Sequence, residues 1–234
     1  MIHGKKVLAI TLARGGSSRV YKKNIANIAG IPLLQYTINE VTKSKYIDKY
    51  IIATDDKKIK SVIQKNKIEC FDRKSVSDTQ TSADGLLEVI EGIQGFDYVV
   101  EIMCTNPLKE VGDIDGVIYK LYDTKADSIV SVTRIWDNHP SRVKYIEDDK
   151  LIDFYPEVPE SRRQDLTPAA YVRNGSIYAM TYKQIKNNKV RLGKDTRPYI
   201  MPESRSINID EPIDLKLAEL LLFERQIVWK YKKL

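Results

Sequence analysis

Cysteine, histidine and long apolar runs are all scarce in this chain, and each scarcity removes a class of function. Two cysteines occur in 234 residues. Cys70 and Cys104 show no CxxC spacing and no neighbouring histidine, which speaks against a zinc site and for core thiols in a reducing compartment. The two histidines, His3 and His139, have no serine or cysteine partner in view, so a nucleophilic triad is not expected. No apolar run approaches the ~18 residues of a membrane span, and the start carries no apolar signal segment. The expectation is a soluble, cytoplasmic protein with no membrane partner. Neither GxGxxG nor GxxxxGK[ST] occurs, so neither common dinucleotide nor P-loop signature applies. No repeat, low-complexity stretch or linker composition divides the chain.

What is present is an ordinary globular composition, 42% hydrophobic and 30% charged, with a net charge of +6. That excess fits an anionic small molecule, nucleic acid or plain solubility, but no aromatic-basic interleaving supports nucleic acid. One stretch stands out: Val7-Leu-Ala-Ile-Thr-Leu-Ala-Arg14-Gly15-Gly16-Ser17-Ser18-Arg19, followed by Lys22-Lys23-Asn24. An apolar strand runs into a glycine pair ringed by cations and hydroxyls. Glycines let backbone amides approach a ligand closely, and clustered Arg and Lys neutralise a polyphosphate. The same residues also fit a solvated basic turn.

Along the chain, apolar runs at 5–12, 50–53, 68–71, 97–103 and 128–132 read as strands. Helical stripes start at Pro32, near Ile59, at Ala83 and at Gly112. Such alternation implies an α/β fold with a mostly parallel sheet covered by helices on both faces. Ligands of these sheets bind beyond the C-terminal strand ends, where the loops after 12, 54, 72 and 104 converge. From about 134 to 174 the alternation lapses, and 143–146 with 151–155 resembles a short hairpin. This region reads as an insertion or arm. Strand character returns at 176–180 and 206–209, and Pro212 opens a last helix.

Two later groups carry chemistry. Arg205-Ser-Ile-Asn208-Ile-Asp210-Glu211-Pro-Ile-Asp214 ends a candidate strand, in which 208 and 210 face one side. An amide and a carboxylate there suit a hard metal if phosphates supply further oxygens, while Asp210 and Glu211 equally suit the cap of the last helix. Arg162, Arg163 and Arg173 can hold an acidic acceptor through bidentate pairing, or pair on the surface with Asp153, Glu157 and Glu160.

In order, these motifs resemble the acylneuraminate cytidylyltransferases, the CMP-sialic acid synthetases. The resemblance rests on Leu12-Ala-Arg-Gly-Gly-Ser-Ser-Arg with Lys22-Lys-Asn24, Ala53-Thr-Asp-Asp56, Ser77-Asp-Thr79 with Ser82, and Thr105-Asn-Pro-Leu108. It continues through His139-Pro140, Arg163-Gln164, Asn174-Gly-Ser-Ile-Tyr178 and Ser206-Ile-Asn-Ile-Asp210 with Asp214, nearly the whole chain. It implies a single Rossmann-like nucleotidyltransferase domain over 1–234, with a dimerisation arm at about 134–174. It also implies transfer of CMP from CTP to the anomeric hydroxyl of an acidic 2-keto sugar, with Mg²⁺ as cofactor, for lipopolysaccharide or capsule synthesis. On this resemblance the nucleotide residues are Arg14, Gly15, Gly16, Ser17, Lys23, Asn24, Arg73 and Ser82. Arg14, Lys23 and Asp210 carry catalysis, Asp210 and Asn208 face the metal, and the acceptor meets Arg142, Arg163, Gln164, Asn174 and Tyr178. The expected assembly is a homodimer in which the arm lends residues to the partner.

Three positions depart from the family pattern. The glycine loop has Ser18 where a lysine is usual, with Arg19 beside it. The late acidic pair keeps one carboxylate, as Asn208-Ile-Asp210. Met103 replaces a glutamine that touches the sugar, which argues for an acceptor other than N-acetylneuraminate: a legionaminate, a pseudaminate, a deaminated ulosonate, a Kdo-like acid or a phosphonate. A catalytically idle nucleotide-binding homologue is the alternative from a different class.

Overall fold

Strand β1 (Val7–Leu12) is the axis of the molecule, and its burial on both faces explains its unbroken apolar sequence. The computed structural model describes residues 1–74, 79–156 and 161–231. β1 leads through a small hairpin, β2 (Asn27–Ile28) with β3 (Ile31–Pro32), into α1 (Leu33–Val41). There follow β4 (Lys49–Thr54), α2 (Lys57–Lys65), β5 (Glu69–Asp72), α3 (Ser82–Ile90), β6 (Tyr98–Ile102) and α4 (Val111–Thr124). The second half runs β7 (Ser128–Ile135), β8 (Lys144–Glu147), β9 (Lys150–Asp153), β10 (Ala170–Thr181), α5 (Tyr182–Asn188), β11 (Thr196–Ile200) and α6 (Pro212–Tyr231).

Seven strands form one sheet in the order β11-β7-β10-β6-β1-β4-β5. β10 alone runs against its neighbours, and all other pairings are parallel. This is the mostly parallel, mixed α/β sheet that the alternation implies. One face packs on α1, α2 and α4, the other on α3 and α5. Local signals set the helix starts. Pro32, with φ −60°, precedes α1. The Asp56 carboxylate accepts the Lys58 and Ile59 amides at the head of α2, and Thr81 with Asp84 forms a capping box at α3. β1 lies between β4 and β6, so connections leave it in opposite directions across the sheet, and a crevice opens beyond its C-terminal end.

Two expectations are corrected. Residues 206–209 form no strand; the sheet edge is taken by β11, which contains Pro198. Strand β10 begins at Ala170, so 170–174 belong to the main sheet, paired with β7 through a bulge between Arg173 and Tyr178. The irregular arm therefore lies between β7 and β10. In it β8 and β9 form the expected hairpin, turned by Asp148 and Asp149, both at positive φ. His139 is pinned at its base: Nε2 lies 2.9 Å from the Pro168 carbonyl oxygen and Nδ1 2.8 Å from the Ser141 hydroxyl. Cys104 is buried, but Cys70 only half so. Among the described residues no helix is long and apolar enough to cross a membrane.

Candidate active site

The loop after β1 is held open by contacts distant in sequence. The Asn24 side chain donates to the Arg14 carbonyl at 2.8 Å and accepts from the Cys104 thiol at 3.0 Å. Gly15 donates its amide to Asp55 at 2.8 Å, and a Cβ there would stand 2.7 Å from the Asp56 Cβ. Gly15 is thus required for close approach to the β4–α2 turn. Its amide is committed to the Asp55 carboxylate. Gly16 has open space around it and lines the cleft.

That cleft, about 410 Å³, lies beyond the ends of β1, β5 and β6. Its walls include Arg14, Gly16, Ser17, Lys23, Asn24, Arg73, Ser82 and Asp210, together with Met103, Cys104 and Thr105. Of the ten residues implied for nucleotide and metal, eight therefore converge, and Gly15 and Asn208 stand just behind them. Sequence reasoning did not single out Gln80 and Thr81, which also line it. Arg73 is 9% exposed and bonded to Glu88 and Gln80. A Cβ on Gly85 would meet its guanidinium at 3.1 Å, so the close approach of α3 depends on that glycine.

Two ion pairs tie the basic loop to the segment before α6. Lys23 Nζ donates to the Ile209 carbonyl at 2.8 Å and to Asp210 at 2.9 Å. Arg19 lies 3.1 Å from Glu211. The Asp210 carboxylate also accepts from the Asn208 amide nitrogen, whose Oδ1 is buried without a partner. The cap of α6 comes instead from Asp214, which accepts the Asp210 and Glu211 amides at 2.9 and 2.7 Å. The capping alternative for Asp210 and Glu211 is thereby corrected: their side chains point to the cations. Arg205 forks onto the buried Asp113 at 2.9 and 2.7 Å, fixing the segment that carries Asp210 against α4. Among the described residues no three His, Cys, Asp or Glu side chains cluster as a metal site.

Beneath the Cys104 edge, Lys109 is 1% exposed, donating to Thr37 at 2.8 Å and to the Asn106 carbonyl. Burial lowers its pKa to about 7 and raises that of the Cys104 thiol to about 11. A thiol so protonated is no nucleophile at neutral pH.

The five implied acceptor residues do not line this cleft. Arg142 donates to the Ser161 carbonyl at 2.6 Å, and Arg163 lies 3.6 Å from Asp137 beside a second recess of about 270 Å³. Gln164 is exposed in the arm. Asn174 is 4% exposed; it accepts from Ser131 at 2.7 Å and donates to Ser206 at 2.9 Å, so its amide is used inside the fold. Tyr178 is buried under the Arg191 guanidinium. Of the surface partners proposed for the arginines, Asp153 pairs instead with Lys144 at 2.7 Å, while Glu157 and Glu160, like Ser77 and Asp78, lie outside the described residues.

A sheet whose switch point opens on a basic glycine loop, tied by two ion pairs to an acidic segment from the far end of the chain, is the frame of a nucleotidyltransferase. The chain belongs to the cytidylyltransferase family, whose model matches residues 8–225. It is 30% identical over 230 residues to the CMP-N,N'-diacetyllegionaminic acid synthase of Legionella pneumophila, covering 93% of this chain and 96% of that one. It is 28% identical over 225 residues to a pseudaminic acid cytidylyltransferase of Campylobacter jejuni, with coverages of 92% and 96%. A solved CMP:2-keto-3-deoxy-manno-octonic acid synthetase, complexed with CTP, superposes with a TM-score of 0.73 at 18% identity, over 94% of this chain and 100% of that chain. That last likeness is one of fold.

Proposed function

We propose that this cytidylyltransferase moves CMP from CTP to the anomeric hydroxyl of an acidic 2-keto sugar of the nonulosonate class, releasing pyrophosphate. The observation that carries the reading is the Lys23–Asp210 pair, which brings the glycine loop and the late acidic segment to one cleft. The names of the two relatives point to a legionaminate- or pseudaminate-like acceptor. Arg14 and Lys23 neutralise the triphosphate, while the Gly16 amide and the Ser17 hydroxyl donate to its oxygens. Arg73 and Ser82 bound the side of the cleft nearest β5 and α3. Cations placed where charge builds on the α-phosphate and leaving pyrophosphate lower the barrier without reorganisation in the transition state.

The residues also fit Mg²⁺. Asp210 offers a carboxylate in the cleft, with the Asn208 amide nitrogen donating to it from behind, and Mg²⁺ is commonly held by one or two carboxylates plus substrate phosphates. When bound, the ion supplies positive charge to the phosphate oxygens. Lys23 holds Asp210 in place and shares its charge with the incoming triphosphate.

We further propose a homodimer built through the arm. Ile146 and Leu151 of the hairpin are 75% and 73% exposed, beside Phe154 and Tyr155, and an isolated two-stranded hairpin is marginal in water. Arg142, Arg163 and Gln164, absent from their own chain's cleft, would then serve the partner's acceptor site.

The test is pyrophosphate release from CTP with Mg²⁺ against a panel of nonulosonic acids, a Kdo-type acid and a phosphonate. Release with the nonulosonates is expected. Release with the phosphonate alone reassigns the acceptor, and CTP binding without release for any acid overturns the enzymatic reading.

A further inference from the structure

One buried charge stands behind the cleft wall. Glu101, in β6, is fully buried. Arg191, from the loop after α5, donates to its Oε2 at 2.7 Å and is itself seated 4.1 Å over the Tyr178 ring. The hydroxyl of Ser82, the first residue of α3, reaches the same carboxylate, whose Oε1 is otherwise without a partner. Burial raises the pKa of Glu101, while the Arg191 charge and the bonds from Arg191 and Ser82 hold it down. Stability does not account for a carboxylate here, because apolar replacements of buried ion pairs are often neutral or stabilising.

Ser82 is at the same time a residue of the cleft wall. Arg19 and Lys23 of the glycine loop gather with the acidic segment before α6, which is the phosphate side of the cleft. The wall at β5 and α3 carries Arg73, Gln80, Thr81 and Ser82, one cation against three uncharged polar groups, which suits a base better than a triphosphate. There Gln80 is spent on Arg73, and Thr81 on Asp84 in the capping box. Ser82 is the hydroxyl left to face a ligand. A serine hydroxyl has one proton and two lone pairs, whereas an ionised carboxylate only accepts. With its proton turned to Glu101, Ser82 offers lone pairs to the cleft.

Resting on the cytidylyl-transfer reading, we propose that Glu101 is a positioning residue for base selection: held by Arg191, it fixes the direction of the Ser82 hydroxyl, so that Ser82 accepts from the amine of a cytosine ring. Cytosine presents an amine donor where uracil presents a carbonyl acceptor. A uracil in the same place would set its carbonyl oxygen against the Ser82 lone pairs, and the hydroxyl could turn to meet it only by leaving a buried carboxylate oxygen unpaired. Glu101 touches no ligand; it acts through Ser82.

Calorimetric titration with CTP and with UTP tests this. Glu101→Gln keeps an oxygen for Arg191, which leaves the amide nitrogen to donate toward Ser82 and turns the hydroxyl proton into the cleft. Affinity for CTP should fall about tenfold or more, the cost of a mismatched bond, while UTP binds as well as before or tighter. The double change Glu101→Met with Arg191→Met serves if Glu101→Gln melts early, because it removes both buried charges together. The hydroxyl is then free to turn, and the preference for CTP over UTP should shrink about threefold or more. A preference that survives in the folded variants, whether or not both nucleotides bind more weakly, would make Glu101 structural and overturn the proposal. A wild-type protein that binds CTP and UTP alike defeats the cytidylyl reading and this inference with it, whereas a wild-type preference with indifferent variants defeats the inference alone.

Discussion

The cleft edge of the sheet and the arm that grows from β7 and β10 are built on opposite plans. At the cleft, groups far apart in sequence satisfy one another: Lys23 meets Asp210, Arg19 meets Glu211, Gly15 meets Asp55 and Asn24 meets Cys104. In the arm the contacts are local, such as Tyr145 against Phe154 at 5.1 Å and Lys144 with Asp153, while Ile146 and Leu151 face outward. The first region is preorganised by its own chain, which suits groups that must stabilise charge without rearranging. The second carries apolar surface that its own chain leaves uncovered, which suits a part completed from outside. CTP binding and assembly should therefore be separable by mutation.

The largest effect is expected from Asp210→Asn. The change keeps the volume and leaves a group able to meet Asn208, so folding and CTP binding should persist in calorimetric titration. Turnover, read as pyrophosphate release, should fall by about 10²–10³ or more, the scale of losing one preorganised charge-stabilising group. Unchanged turnover would reduce the Lys23–Asp210 contact to a strut between loop and helix. A double change in the arm, Ile146→Asp with Leu151→Asp, should act the other way. Sedimentation should show a dimer becoming a monomer, while CTP affinity holds and stability moves by less than about 1 kcal/mol, as for other exposed sites. A variant that stays dimeric would place the interface elsewhere.

The same contrast explains what the amino-acid sequence discloses. The parallel strands and their helices are legible because short apolar runs alternate with helical stripes, some opened by a proline such as Pro32 or Pro212, all of them local signals. The glycine loop is legible for the same reason. Residues 206–209 mislead, since Ser-Ile-Asn-Ile alternates like a strand; in the fold the Ile209 amide donates to the Thr105 carbonyl, and Arg205 is anchored on Asp113. The contact of Asn208 with Asp210 is nevertheless present, for a reason other than strand periodicity. β11 escapes notice because Pro198 argues against a strand, yet as an edge strand it tolerates proline. Asn174 is out of reach altogether: its inward turn depends on the β10 bulge and on Gly175 at φ +63°. The pairing of Glu101 with Arg191, 90 residues apart, leaves no local trace either.

A smaller effect sharpens the picture of the cleft side, through Lys109, buried beneath it. In the unfolded chain a lysine titrates near pH ~10.4, whereas burial holds Lys109 at about 7. Between those values the unfolded state binds the extra proton, so stability rises with pH and falls as pH drops toward 7. The Cys104 thiol, raised to about 11, works in the opposite sense above its ordinary range, so the clean window lies at about pH 7 to 8.5. Lys109→Met removes the titrating group and fills similar space, leaving Thr37 and the Asn106 carbonyl one partner short. Its melting temperature should lose the upward slope with pH that the parent shows in this window. At the acid end of the window the variant should match or exceed the parent, because a buried cation no longer has to be desolvated. A parent profile flat across the window, or a slope that survives the substitution, would mean that Lys109 keeps its proton through its hydrogen bonds to Thr37 and Asn106, and that the cleft rests on a charge rather than on a neutral amine.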